Sequence, residues 1–172
     1  LTLFGDASHN AFANAKGQQC EIVYGDKMSA ALDMSSVKEK ETPDSSYESE
    51  LIVQNKVCKK GIRTYLMLKE LGIAVPLPMK MYSDNEAAVG TISTQHINKL
   101  GRSKFMNRKI FQLYEQVQAG LIESIWCATE NMDADMGTKH LSGSHRDYLC
   151  NRSFSRKHFD NLYQPGCAEF NL

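Results

Sequence analysis

Between Met79 and Val89 the sequence changes its period, and no other stretch narrows the fold as much. Met79, Met81 and Ser83 alternate with Lys80, Tyr82 and Asp84, the two-residue repeat of a half-buried strand. From Asn85 the pattern becomes helical and the residues small, as in Glu86-Ala87-Ala88-Val89. A strand that runs straight into a helix belongs to an α/β sheet, and its junction lies on the edge where such sheets place ligand sites. Asp84 stands at that junction. Its carboxylate is open to two readings: a helix cap, a job that Asn85 could share, or a member of a site.

The rest of the chain supplies the neighbours such a unit needs. Leu1 to Ser8 reads as a strand with Asp6 near its end, and Asn10 to Gln19 as a loop. Cys20 to Gly25 and Met28 to Ser36 read as two more strands, with a hairpin turn at Gly25-Asp26. Three strands so close in sequence form an antiparallel meander. Val37 to Asp44 is a charged linker. Ser45-Ser46-Tyr47-Glu48 is a capping box. It opens a long helix whose stripe of Tyr47, Leu51, Cys58, Ile62, Tyr65, Leu66 and Leu68 runs toward Gly72. Glu50 lies in the first turn. After the Asp84 unit, Gln95 to Arg102 is a polar loop, and Ser103 caps a second long helix. Its stripe is Met106, Ile110, Leu113 and Val117, ending at Gly120. Leu121 to Ala128 is a fifth strand, followed by a helix bearing Asp133 and Asp135. This order predicts one mixed five-stranded sheet, three antiparallel strands and then parallel ones, flanked by helices.

With 172 residues the chain suits one domain with a small appendage. Lysine plus arginine, at 20, equal aspartate plus glutamate, at 20, which excludes a strongly basic nucleic-acid binder. The balance hides an asymmetry, because the first 50 residues are acidic and later segments locally basic, as suits an acidic pocket beside a basic docking surface. Five widely spaced cysteines without a Cys-x-x-Cys pair argue against a disulfide framework or a zinc knuckle and for a reducing compartment. No apolar run has membrane-spanning length and no signal-peptide pattern is present, so no membrane partner is expected. The opening on Leu1, directly in a strand, suggests a piece of a longer polypeptide.

Four carboxylates, Asp6, Glu50, Asp84 and Asp135, fall at a strand end, a helix first turn, a strand end and a helix first turn. Crowded carboxylates repel unless a cation sits among them, and two magnesium ions about 4 Å apart are a common resolution in phosphodiester cleavage. Scattered acids on a surface need no such explanation. Five stretches decide between these readings: Gly5-Asp6-Ala7-Ser8; Ser35-Ser36 with Ser45-Ser46-Tyr47-Glu48-Ser49-Glu50; Tyr82-Ser83-Asp84-Asn85-Glu86-Ala87-Ala88; Arg102-Ser103-Lys104; and Thr129-Glu130 with Ala134-Asp135-Met136-Gly137-Thr138-Lys139. In order and spacing, from about Leu3 to Leu141, they resemble the ribonuclease H domain of copia-type (Pseudoviridae) LTR-retrotransposon polyproteins. That family has Ser-Asp-Ala, Ser-Ser-Thr-Glu-Ala-Glu, Tyr-Cys-Asp-Asn-Gln-Ser-Ala, Arg-Thr-Lys and Ala-Asp-Ile-Phe-Thr-Lys at these places.

The resemblance implies a ribonuclease H-like fold over residues 1–142. It also implies hydrolysis of the RNA strand of an RNA–DNA hybrid by two Mg2+ ions, with Mn2+ able to substitute. Asp6 would bridge both ions, Asp135 would help hold the one that activates water, and Glu50 and Asp84 the one on the leaving-group side. The implied partners are the hybrid and the reverse transcriptase domain of the same polyprotein. The implied location is a cytoplasmic virus-like particle, or the nucleus. Three departures stand out. Ser8-His9 replaces the acid and aromatic that usually follow the first Asp-Ala, and Lys139-His140-Leu141 replaces Lys-Pro-Leu. The histidine that cellular ribonucleases H carry before the last carboxylate is absent, its position falling near Ile125 and Trp126; His140 and His145 are read as surface residues. Lys99, Arg102, Lys104, Arg108 and Lys109 form a basic group that is either a phosphate-contacting surface or a solvated helix face. Residues 143–172 are a basic and aromatic tail, partly helical or disordered. The alternative to a nuclease is a catalytically silent module of the same fold, serving a structural or nucleic-acid-binding role.

Overall fold

The computed structural model describes residues 1–9, 16–25, 31–94 and 104–154. Five strands form one sheet: β1 (Thr2–Ser8), β2 (Gln18–Tyr24), β3 (Ala31–Lys38), β4 (Met79–Ser83) and β5 (Ile122–Trp126). Their spatial order is β3-β2-β1-β4-β5. β1 pairs antiparallel with β2, and β2 with β3, while β1–β4 and β4–β5 are parallel. The expected mixed sheet is therefore present, with β1 at its centre. The helices are α1 (Ser46–Glu70), α2 (Glu86–Thr94), α3 (Lys104–Gln118) and α4 (Gly143–Phe154).

Each face of the sheet carries its own core. On one, Leu3 and Val23, Met79 and Met81 meet Leu51, Ile52, Val57 and Cys58 of α1, Ala88 and Ile92 of α2, and Met106, Ile110 and Leu113 of α3. On the other, Phe4 stacks on Tyr82 at 5.0 Å and meets Tyr24 edge-on at 5.8 Å. Cys20, Ile22, Cys127, Met132 and Ala134 complete that cluster. β4 is thus covered on both sides, not half-buried: Tyr82, which the alternation placed opposite the methionines, is 1% exposed.

α1 is the element that ties the site to the sheet. Ser45 accepts a hydrogen bond from the Glu48 amide, as its capping role requires, and Gly72 closes the far end at φ 76°. Gly61 lets α1 lie close on β1, since a Cβ there would come within 2.6 Å of Leu3. One turn apart on the same face, Gln54 donates to the Gly5 carbonyl (2.8 Å) and Glu50 accepts from the Ala7 amide (3.2 Å). The helix is pinned to either side of Asp6. Leu66, counted in the apolar stripe, is 50% exposed, because it lies two positions, about 200° of rotation, from buried Thr64 and from Leu68, which packs on the core.

Three segment expectations need correction. β2 starts at Gln18 and β3 spans Ala31–Lys38, each displaced toward polar sequence. Gln19 is buried in the ladder by donating to Glu39 (2.6 Å), which also accepts from the Gly17 amide (3.2 Å). The charged linker therefore contributes a buried acid. Lastly, Asp133 and Asp135 lie not on an α-helix but on a 3-10 turn, Asp133–Gly137, preceded by another, Thr129–Asn131. Bonds three residues back, such as Asp135 to Met132 (3.0 Å), define it. Gly137 presses this turn onto β2, where a Cβ would collide with Cys20. The Gly25-Asp26 turn and the Ser103 cap fall wholly or partly outside the described residues, as do residues 155–172.

α4 closes the second core. Leu149 and Ser153 are fully buried, and Arg152 forms an ion pair with Asp133 at 3.2 Å, both side chains largely shielded from water. The Tyr24 hydroxyl donates to Asp133 at 2.9 Å and is 2.7 Å from the Ser153 hydroxyl. Removing one partner of such a pair strands the other charge. Arg152→Ala should cost about 3 kcal/mol or more at pH 8, read by urea denaturation. Removing both charges with Arg152→Met and Asp133→Asn should cost less. A loss below about 1 kcal/mol in the single variant would show that the pair is not structural.

Candidate metal centre

The β1–β4 register pairs Phe4 with Tyr82, and its continuation by two residues sets Asp6 opposite Asp84 at the carboxyl ends of two parallel strands. α1 brings Glu50 to the same edge. Carboxylate oxygens of Asp6, Glu50 and Asp84 lie within 4.8 Å of one another. Asp135 reaches this group from the 3-10 turn through Lys139, whose ammonium is 2.7 Å from Asp135, 3.5 Å from Asp6 and 3.7 Å from Asp84. The Thr138 hydroxyl donates to the second oxygen of Asp6. All four predicted acids are thus drawn to one place, three of them in direct proximity and the fourth across a lysine.

The two readings of Asp84 are separated by its neighbour. Asn85 caps α2, its Oδ1 accepting from the Ala88 amide at 3.0 Å. Asp84 instead faces the centre and accepts from the Thr129 hydroxyl (3.1 Å), while its carbonyl accepts from Trp126 Nε1 (3.1 Å). Glu48 and Glu50 separate in the same way. Glu48 accepts from the Asp44 amide (3.0 Å), one residue before the one its capping-box role implied. Two positions apart on a helix means about 200° of rotation, and only Glu50 turns toward Asp6. Asp133 points away from Asp135 into the Arg152 pair.

Burial is the largest influence on these acids. Asp6 is held above the ordinary carboxylate range by desolvation, against the opposing pull of Lys139 and Thr138. Glu50 is held well above it by desolvation and then by the charges of Asp6 and Asp84. Asp135 is pushed up to about 7 by desolvation and then by Asp6. Asp133, by burial, rises to about 6 despite Arg152. Oε2 of Glu50 is buried and has no hydrogen-bond partner among the described residues. An acid set of this kind, rich in oxygen donors and short of positive charge, fits hard divalent cations such as Mg2+. Asp6, Glu50, Asp84 and Asp135 are the residues that could hold them.

The basic group is only partly brought to view. Lys99 and Arg102, and the side chain of Lys104, lie outside the described residues. Arg108 is exposed on α3. Lys109 forms an ion pair with Glu41 at 3.3 Å, which a phosphate would have to displace. His140 is exposed and His145 stacks on Tyr148. His9, where the aromatic was expected, lies 3.2 Å from the Ser49 hydroxyl, beside Glu50. Sequence reasoning gave Lys139 and Thr138 no role, although Lys139 stands four residues after Asp135, a spacing that suits an ion pair.

No protein-family model matches the sequence, and no curated protein matches it. Solved structures do resemble it. LC11-RNase H1 in complex with an RNA/DNA hybrid superposes with a TM-score of 0.58 at 11% identity, over 80% of this chain and 92% of that one. LC11-RNase H1 isolated from compost by a metagenomic approach gives 0.51 at 15%, over 80% and 89%. RNase H1 of the halophilic archaeon Halobacterium salinarum gives 0.50 at 8%, over 80% and 92%. At such identities the likeness is one of architecture. This chain has the ribonuclease H fold.

The raised acids give a pH dependence whose sign follows directly. A carboxyl whose folded pKa exceeds its unfolded value of about 4 binds its proton more tightly in the native state. Its contribution to stability is full below pH 4 and lost as pH rises through the folded value, about 7 for Asp135. In EDTA the melting temperature should therefore fall between pH 5 and pH 8, less steeply in Asp135→Asn, and millimolar Mg2+ should flatten the decline. A melting temperature that rises across this window would contradict the assignment.

Proposed function

We propose that this chain hydrolyses the RNA strand of RNA–DNA hybrids, as the ribonuclease H domain of a copia-type retroelement polyprotein that acts beside a reverse transcriptase. What carries the reading is the approach of Asp6, Glu50, Asp84 and Asp135, from four separate elements, to the carboxyl edge of the parallel strands. The five motif stretches support the retroelement context.

These residues would hold two divalent ions, which supply an activated water and stabilise the leaving oxygen. The chain's own part is placement. Glu50 is fixed by the Ala7 amide, Asp84 by Thr129 and Asp6 by Thr138, so little reorganisation remains when substrate arrives. Trp126, beside Asp84, and Arg108 are exposed and would be available to a bound duplex. The RNA strand would be distinguished by its 2′-hydroxyl. A silent module of the same fold is the second reading, and Lys139 favours it by already neutralising part of the centre.

Cleavage of a labelled hybrid, set against double-stranded and single-stranded RNA, separates the two. Mg2+ or Mn2+ should support cleavage of the hybrid, and Ca2+, with longer and looser coordination, should not. Glu50→Gln and Asp135→Asn should each abolish it with little loss of stability. Glu48→Gln should keep most activity and cost a few tenths of a kcal/mol. Robust cleavage in excess EDTA, or an inactive Glu48→Gln beside an active Glu50→Gln, would sink the reading.

A further inference from the structure

Lys139 occupies a position for which the proposed chemistry gives no use. It follows Thr138 just after the second 3-10 turn, and its side chain is 35% exposed. Its ammonium contacts Asp135 at 2.7 Å, Asp6 at 3.5 Å and Asp84 at 3.7 Å. These acids come from the turn, from β1 and from the end of β4, so one side-chain tip touches carboxylates of three separate elements. An ordinary surface lysine at this spacing would pair with Asp135 alone. The positive charge it brings does not saturate the centre, because Oε2 of Glu50, buried beside the same oxygens, has no hydrogen-bond partner among the described residues.

We propose that Lys139 is a stand-in cation: its ammonium fills the space between Asp6, Asp84 and Asp135 and withdraws when a divalent ion bridges them. The inference rests on the metal-binding reading of the same site. A lysine suits the task because its compact ammonium rides on four flexible methylenes, and the partial exposure of the side chain leaves a path outward without backbone movement. Once withdrawn, the ammonium stays tethered at the rim. There two divalent ions balance four carboxylates, and a phosphodiester brings one further negative charge for the lysine to meet. Lys139 thus holds the acids together before loading and favours the loaded state once substrate is present.

The test is a calorimetric titration of Mn2+ into the wild-type chain and into Lys139→Met, Lys139→Gln and Lys139→Arg, all below their melting temperatures. With the competing charge gone, the Met and Gln variants should bind Mn2+ about tenfold more tightly and melt several degrees lower in EDTA. The Arg variant should stay within about threefold of wild type. Lys139→Gln keeps a donor for Asp135 and so covers the case in which Lys139→Met fails to fold. Met and Gln variants that bind Mn2+ no more tightly than wild type would overturn the proposal. Hybrid cleavage by the wild type is assayed alongside. Tightened binding without cleavage would refute the nuclease and leave the stand-in cation; cleavage with unchanged binding would do the reverse.

Discussion

Like charge gathered on one sheet edge, with Asp6 at its centre, is the constraint that the rest of the structure serves. Two carboxylates about 4 Å apart repel by roughly 4 kcal/mol at an effective dielectric of about 20, and burial adds to that cost. The acids stay together because their backbone positions are set elsewhere. β1 is laddered on both sides, Phe4 is stacked on Tyr82 beneath the site, and Gln54 and Glu50 fasten α1 to the strand around Asp6. Gly61 and Gly137 permit the close packing that brings α1 and the 3-10 turn to bear. The core thus supplies the rigidity, and the charges use it.

A centre arranged this way must take up protons or cations. The raised carboxyls, the Thr138 hydroxyl and the Lys139 ammonium are three responses to one shortage of positive charge. Stability given up at such a place is the usual accompaniment of a site preorganised for something it does not yet hold. α4 offsets part of it from the opposite direction, since Arg152 anchors Asp133 at the start of the turn that presents Asp135 and Lys139.

The sequence carried the local rules well. The Ser45 cap, the Gly72 and Gly120 stops and the Asp84 junction depend on residues within a few positions of one another, and each recurs in the structure. The four carboxylates were legible through motif resemblance, since chain order alone does not bring Asp6 to Asp135. What stayed hidden was tertiary. Burial of β4 on both faces depends on Met132 and Ala134, beside and within the 3-10 turn, joining the cluster around Tyr82. The strand at Gln18-Gln19 depends on Glu39, twenty residues away, to satisfy a buried amide. The Asp133–Arg152 pair joins a turn to a helix read as part of a tail. The 3-10 turn was mistaken for an α-helix because its acids and apolar residues resemble a helix start, whereas its contacts with β2 hold it tighter.

The claim beneath all of this is that the Asp6 edge is a divalent-cation site completed by Asp135. Anomalous diffraction from crystals soaked in Mn2+ tests it most directly. The account predicts two peaks about 4 Å apart, with Asp6 between them, Glu50 and Asp84 on one, Asp135 on the other, and the Lys139 ammonium moved outward. Peaks confined to other surfaces, with Lys139 still spanning the three aspartates at saturating Mn2+, would contradict it.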